Sequence, residues 1–279
     1  MIKISSSERQ FIAEGVAANV RADGRARLAY RSVAIETSLL SQSNGSARVS
    51  LAGAGTDVLA SVKLEVATPS PQAPRDGLVS IAVACSPSVS AKLSSRATEE
   101  LNVELSQLLT RLLCSCPSVD LAQLCLSTGN LPDLMSMAVY AALNDTVFPS
   151  VRLVGVEGED KTVEVDADPA AGKRLTGITD WPLCVTMCKL GAHYVVDPSQ
   201  EEELCVGAQL CVAVDPTGRV CGVQKRGAGA LAPKEMQQMV DEAAERAKEL
   251  FRALQAALQF QQQRDEALGR KHERVGFLG

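Results

Sequence analysis

Apolar residues recur along the chain with two different periods, and the changes between them mark out its elements. After Ser5–Ser7 and Glu8, a capping signal, Phe11, Ile12 and Val16 fall on one face of a helical repeat. From Ser32 to Val66 the period shortens to two: Val33, Ile35 and Thr37 alternate, Asn44-Gly45 makes a hairpin turn, and Ala47–Leu51 and Val58–Leu64 are further strands. Pro69–Gly77 reads as a loop, and Leu78–Cys85 as a strand ended by Ser86-Pro87. Thr98 then caps a predicted helix with Leu101, Leu105, Leu108 and Leu112 as its buried stripe and Pro117 as its end. Arg111 lies off that stripe.

Leu121–Leu126 is one more short strand. Ser127–Gly129 leads at once into a helix starting near Asn130, with Pro132 in its first turn and Leu134, Ala138, Ala141 and Ala142 as a packing face. Strands follow at Val151–Val156, Thr162–Val165, Leu183–Met187 and His193–Val196, with Lys173-Arg174 and Gly177 in a loop. His193, alone in a strand, reads as a surface or satisfied core residue. From Pro233 a long helix carries one seam of Met236, Val240, Ala243, Ala247, Leu250, Leu254 and Leu258; beyond about Gln261 it becomes polar and is expected to fray.

One stretch carries candidate chemistry. Asp197, Glu201, Glu202 and Glu203 crowd together, but Asp197-Pro198-Ser199-Gln200 also reads as a helix start with Asp197 as N-cap, where the helix dipole favours acidic residues. Gln209 then projects from the next strand on the face opposite Leu210. It is well placed for function but unable to donate or take a proton. Far upstream, Arg21 and Arg25 flank an Asp23-Gly24 turn and could anchor carboxylates or phosphates; spacing leaves both readings open.

Composition narrows the classes. With 279 residues, 46% hydrophobic and 22% charged, the chain suits one large or two small globular domains. A net charge of −5 excludes a polycationic surface, and three Tyr, five Phe and one Trp leave little material for base stacking, so any nucleic acid is expected to be held by shape and phosphate contacts. Nine cysteines with two histidines lack paired metal-ligand spacings, so they read as reduced, mostly buried thiols, with no metal or cofactor expected. No apolar run approaches the ~20 residues of a membrane span.

The ordered set Arg21-Ala22-Asp23-Gly24-Arg25, Gly55-Thr56-Asp57-Val58, Asn130-Leu131-Pro132-Asp133, Pro182-Leu183-Cys184-Val185-Thr186, Val196–Glu202 and Gln224–Gly229 resembles the RNase PH family. Within it, the chain looks like a eukaryotic exosome ring subunit of the non-catalytic branch. The resemblance runs from about Glu8 to Arg252. It implies an α+β, RNase PH-like (ribosomal protein S5 domain 2-like) fold, with mixed sheets, packed helices and a long C-terminal helix. Residues 1–20 would be an N-terminal helix, 21–190 a first subdomain and 191–279 a second.

Active members of the family cleave RNA from its 3′ end with inorganic phosphate, which requires cations for the phosphate and an acidic residue at the reacting bond. The active branch has an Arg-Arg pair just before the Glu-Leu-Ser of its central helix. Here Glu104-Leu105-Ser106 is that landmark and the pair falls on Glu100-Leu101. Its Ala-Asp-Leu is here Ala208-Gln209-Leu210. The resemblance therefore implies a non-catalytic ring subunit that braces an RNA channel in 3′-to-5′ RNA processing and decay. Its implied partners are other RNase PH-like ring subunits, cap subunits, RNA and an associated exoribonuclease, in the nucleus, including the nucleolus, and the cytoplasm. Arg96 and Arg111 are the candidate RNA contacts. The alternative is an active phosphorolytic exoribonuclease using other carboxylates, such as Asp197 or Glu203.

Relatives carry an additional long strand between those around Leu124 and the helix around Leu134. Its absence here predicts a gap in the sheet, unpaired neighbouring backbone and a less stable chain that assembles poorly.

Overall fold

The computed structural model describes residues 4–52, 56–65, 79–86, 95–113, 120–126, 130–154, 162–165, 172–175 and 178–269. The predicted connections at Pro69–Gly77, Ser127–Gly129 and Gly177, and the breaks at Pro87 and Pro117, lie outside these residues.

Two sheets enclose one apolar helix. The first has the order β1-β2-β3-β5-β4, from Val33–Thr37 (β1), Gly45–Leu51 (β2), Thr56–Lys63 (β3), Ser80–Cys85 (β4) and Asp120–Leu126 (β5). The second is antiparallel, β11-β10-β12-β13, from Leu183–Leu190 (β10), His193–Val196 (β11), Ala208–Val214 (β12) and Val220–Arg226 (β13). Between them α3, Leu131–Asp145, touches β2 and β3 on one side and β10 on the other. Every residue from Pro132 to Leu143 is buried, so the helix presents no polar face, as expected of one covered all round. Its small residues Ala138, Ala141 and Ala142 allow both sheets to approach.

The gap expected in the first sheet is not there. β5 fills the slot, running antiparallel to β3 (Asp57 opposite Leu126, Lys63 opposite Asp120) and parallel to β4 (Ser80 beside Asp120, Cys85 beside Cys125). Both neighbours therefore keep a partner for their backbone groups, and the physical reason for expecting instability falls away.

The far edge of β4 is closed by side chains. α2, Ser95–Leu113, lies beside it; Ser106 Oγ accepts from Val83 N at 2.9 Å and Asn102 Oδ1 from Cys85 N at 3.0 Å. These two groups occupy outward-facing donors on which another strand could otherwise build. Ser106→Ala is expected to cost about 1 kcal/mol and to speed amide exchange at Val83 selectively; unchanged protection there would refute the contact's role. α2 begins three residues before Thr98, which is therefore not its cap.

Three helices differ from their sequence reading, two in what they bury and one in its cap. In α1, Ser6–Ala17, Ser5 and Glu8 form the capping box, and Ile12 and Val16 are buried, but Phe11 is 68% exposed. In α5, Pro233–Ala267, the buried seam passes through Met239, Ala243, Ala247, Leu250, Phe251 and Leu254, while Met236 is exposed. The helix does not fray at Gln261. It continues to Ala267 with Gln261 and Asp265 buried on a single face, joined at 2.9 Å. The four-residue α4, Gln200–Glu203, is capped by Ser199 rather than Asp197.

Short pairs complete the described chain: Val147–Phe148 (β6) with Lys173–Arg174 (β9), read from sequence as loop, and Val151–Val154 (β7) with Thr162–Val165 (β8). The subdomain boundary expected at residue 190 falls within the β10–β11 hairpin, and a single hydrophobic cluster runs through both sheets, α3 and α5.

Candidate functional site

The acidic stretch folds back on the N-terminal arginines. Arg21, with its side chain wholly buried, donates through Nε and Nη2 to the two oxygens of Glu202, and to the carbonyls of Val196 (3.0 Å) and Asp197 (2.8 Å). Arg25 Nη1 donates to Asp197 Oδ2 at 2.8 Å. Arg31 grips the same carboxylate with Nε at 2.8 Å, Nη2 at 2.5 Å and its backbone N at 2.9 Å. Burial alone would push the Asp197 carboxyl up; the Arg31 and Arg25 guanidiniums outweigh it and hold the group below its ordinary value. Asp197 has φ 46° and Asn130, its neighbour across the fold, φ 50°. Asp and Asn tolerate this left-handed backbone better than other non-glycine residues, and hydrogen bonds fix both.

Asn130 carries the network deeper. Its backbone N donates to Glu203 Oε1 at 2.6 Å, and its side-chain amide to Asp133 at 3.1 Å and Asp197 at 3.3 Å. Asp133, fully buried on α3, also accepts from Tyr30 Oη (2.9 Å), Thr186 N (3.0 Å) and Thr186 Oγ1 (2.6 Å). Burial raises its pKa to about 6, against the lowering effect of those donors. Glu203 is also raised by burial, with Asn130 N and the nearby Arg226 and Arg31 opposing. The four carboxylates are thus not a free catalytic cluster, and the helix start explains only part of them. Asp197 is committed to the half-buried Arg25 and Arg31 and Glu202 to the buried Arg21, and Glu201 is exposed.

The other candidate positions gather at the junction where β12 and β13 meet α2. Gln209, half-buried near the start of β12, stands opposite Arg226 in register. Arg226 is tied to Glu104 of α2, with Nη2 at 2.9 Å and Nε at 3.2 Å from one carboxylate oxygen. Glu100 is exposed one turn earlier and Leu101 packs against the core. The glycine-rich exit packs closely on the start of β12: Gly229 N donates to Gly207 O at 2.7 Å, and a side chain at Gly229 would meet that oxygen at 2.6 Å. Glu104 and Gln209 thus converge through Arg226. Arg226 is thus held by a carboxylate, while Lys225 beside it donates to the Gly227 carbonyl at 2.6 Å. Among the described residues no cluster has a metal-ion arrangement, and no helix is long and apolar enough to cross a membrane.

The two candidate RNA-contact residues are not brought together. Arg96 lies in the first turn of α2 and Arg111 in its last, about 22 Å along the axis. Arg96 pairs with Glu100 at 3.0 Å, while Arg111 is exposed. His193 Nδ1 accepts a hydrogen bond from Arg27 Nη1 at 2.6 Å, the satisfied role expected of it.

Residues 29–149 match domain 1 and residues 180–246 match domain 2 of the 3′ exoribonuclease family, RNase PH. An RRP42 of Dictyostelium discoideum, named as an exosome complex exonuclease, is 33% identical, with 87% of this chain and 94% of that protein aligned. The chain belongs to the RNase PH family. The Dictyostelium alignment spans 308 positions, more than the 279 residues here, so that relative carries residues with no counterpart in this chain. The exosome complex component Rrp42 of Methanopyrus kandleri is 29% identical over 90% of this chain and 97% of its own. Among solved structures, an archaeal exosome core superposes with a TM-score of 0.65 at 25% identity, over 89% of this chain and 96% of that one. An Archaeoglobus fulgidus exosome with RNA bound to the active site gives 0.67 at 25%, over 88% and 97%. The α+β fold with its long last helix is therefore that of the RNase PH family.

Proposed function

We infer that the chain is a structural, catalytically silent subunit of an exosome core ring, supporting 3′-to-5′ RNA processing and degradation. One observation carries the reading. Where active members of the family need a cationic phosphate clamp and an acid, this chain has Glu100, Leu101 and Gln209, and the nearest cation, Arg226, is already paired with Glu104. The kinship to exosome components named Rrp42 supports ring neighbours of the same fold as its partners. Cap subunits, an associated exoribonuclease, and residence in nucleus, nucleolus and cytoplasm belong to the same proposal. Arg111 is the better of the two candidate RNA contacts, because Arg96 is held by Glu100.

The test is phosphate-dependent release of nucleoside diphosphates from a 3′-labelled RNA, by the purified chain and by a reconstituted ring. Neither is expected to release more through this subunit than a Gln209→Ala control. Release that disappeared in Glu203→Gln would establish the competing catalytic reading. Glu203 is the informative carboxylate, since replacing Asp197 leaves Arg31 without its carboxylate and Arg25 with Asp23 alone, and disturbs folding whatever its chemistry.

A further inference from the structure

Phe11 is the most exposed large apolar side chain in the described chain, at 68%, on a helix whose repeat should have buried it. It does not stand alone. Ile4, Phe11, Ile12 and Ala22 from the N-terminal segment and Leu204 from the turn after α4 line a groove of about 280 Å³, with Leu204 itself 39% exposed. This falls just under the ~300–1,000 Å³ of small-molecule pockets, a size suited to one or two apolar side chains. The walls are firm: Ile12 and Val16 anchor α1, and the Arg21–Glu202 pair fixes the opposite wall.

The rim is acidic. Glu8 and Glu201 both line the groove and both are exposed. Glu8 is held below its ordinary pKa by hydrogen bonds from Ser5, so it is anionic at neutral pH. Among the described residues of α1 the one cation, Arg9, lies toward Cys205 and lines an adjoining surface hollow. An apolar floor between two fixed anions repels nucleic acid and anionic membranes. It is complementary to a peptide that sets a large apolar side chain beside lysine or arginine.

We propose that this groove docks an extended basic–apolar segment of another protein, independently of the β12–α2 junction. Phe11 and Leu204 receive the apolar side chain, and Glu8 and Glu201 receive its flanking cations. The contact places a peptide tether on the RNase PH fold without using any residue of that junction.

The test uses the full chain and a fluorescent peptide of the pattern Lys-Phe-Lys-Leu-Lys, with a Glu-for-Lys version as control, in an anisotropy titration. Saturable binding of the basic peptide only is expected, weakened at least tenfold by Phe11→Ala and about threefold by raising salt from 0.05 to 0.3 M. Glu8→Gln retains the capping box, since glutamine serves at that position; together with Glu201→Gln it is expected to remove most of the salt dependence. Circular dichroism and melting of both variants should match the parent. Equal binding of the two peptides, or binding indifferent to Phe11→Ala in a folded variant, would overturn the proposal. So would self-association of the chain abolished by Phe11→Ala, which would make a second copy the occupant, and so would RNA competing for the groove.

Discussion

Replacing Arg21 by alanine is expected to cost about 3–5 kcal/mol, because it leaves the buried Glu202 carboxylate without its counter-charge. In a chain of this size that corresponds to a fall in Tm of roughly 10 °C. The arginine's side chain is completely buried, and it joins residues 175–181 positions apart through a bidentate carboxylate contact and two carbonyls. Exposed pairs elsewhere, such as Arg96–Glu100 on α2, are worth at most about 1 kcal/mol, so Arg96→Ala is the natural control. Neutralising both partners distinguishes a stranded charge from lost packing. In Arg21→Met/Glu202→Gln the glutamine keeps the capping box with Ser199 and no ion is left unpaired, so about half the loss should return. A double variant no more stable than Arg21→Ala in thermal unfolding would show that the two carbonyl contacts, not the ion pair, hold the N-terminal segment.

That network also shows where sequence reading succeeds and stops. Local signals were legible: the Ser5–Glu8 cap, the Leu105–Leu112 stripe, and Gln209 on its own face of β12; the Asn44-Gly45 turn was misplaced, since Gly45 is already the first residue of β2, paired with Val62. Each depends on residues within a few positions of one another. The network depends on contacts between residues more than 50 positions apart, which no period reveals. A trace of it was nevertheless present, since Asp133 interrupts an otherwise apolar helix and Thr186 an apolar strand. Polar residues at such places must find partners, and these two found each other. Asp197 was misplaced as an N-cap because Ser199, two residues on, satisfies the same local rule and left the aspartate free for Arg25 and Arg31. Phe11 failed for the opposite reason: the helical repeat identifies an apolar face, but not how much of it the fold itself covers.

Asp133→Asn is expected to change stability in opposite senses on the two sides of pH 6. The buried carboxyl has a pKa of about 6 in the fold against an ordinary 3.8, so folding takes up its proton. The stability this confers is fully present below about pH 4 and is lost as pH rises through 6, a span worth about 3 kcal/mol. Asp197, held low by Arg31, behaves inversely: its contribution is present at neutral pH and lost on acidification below the ordinary range. Asparagine at 133 resembles the protonated acid. Its amide can donate to Thr186 Oγ1, while its oxygen accepts from Tyr30, Asn130 and Thr186 N, the three donors now on Oδ2. At pH 4.5 the variant should therefore be about 1 kcal/mol less stable than the parent, for one amide hydrogen left without an acceptor. By pH 7.5 it should equal or exceed the parent. Asp133→Ala, which strands all four donors, should lose stability at both. A parent-minus-variant difference that stays constant from pH 4.5 to 7.5 in urea unfolding would mean that Asp133 is ionised throughout. Its donors would then outweigh its burial, as they do for Asp197.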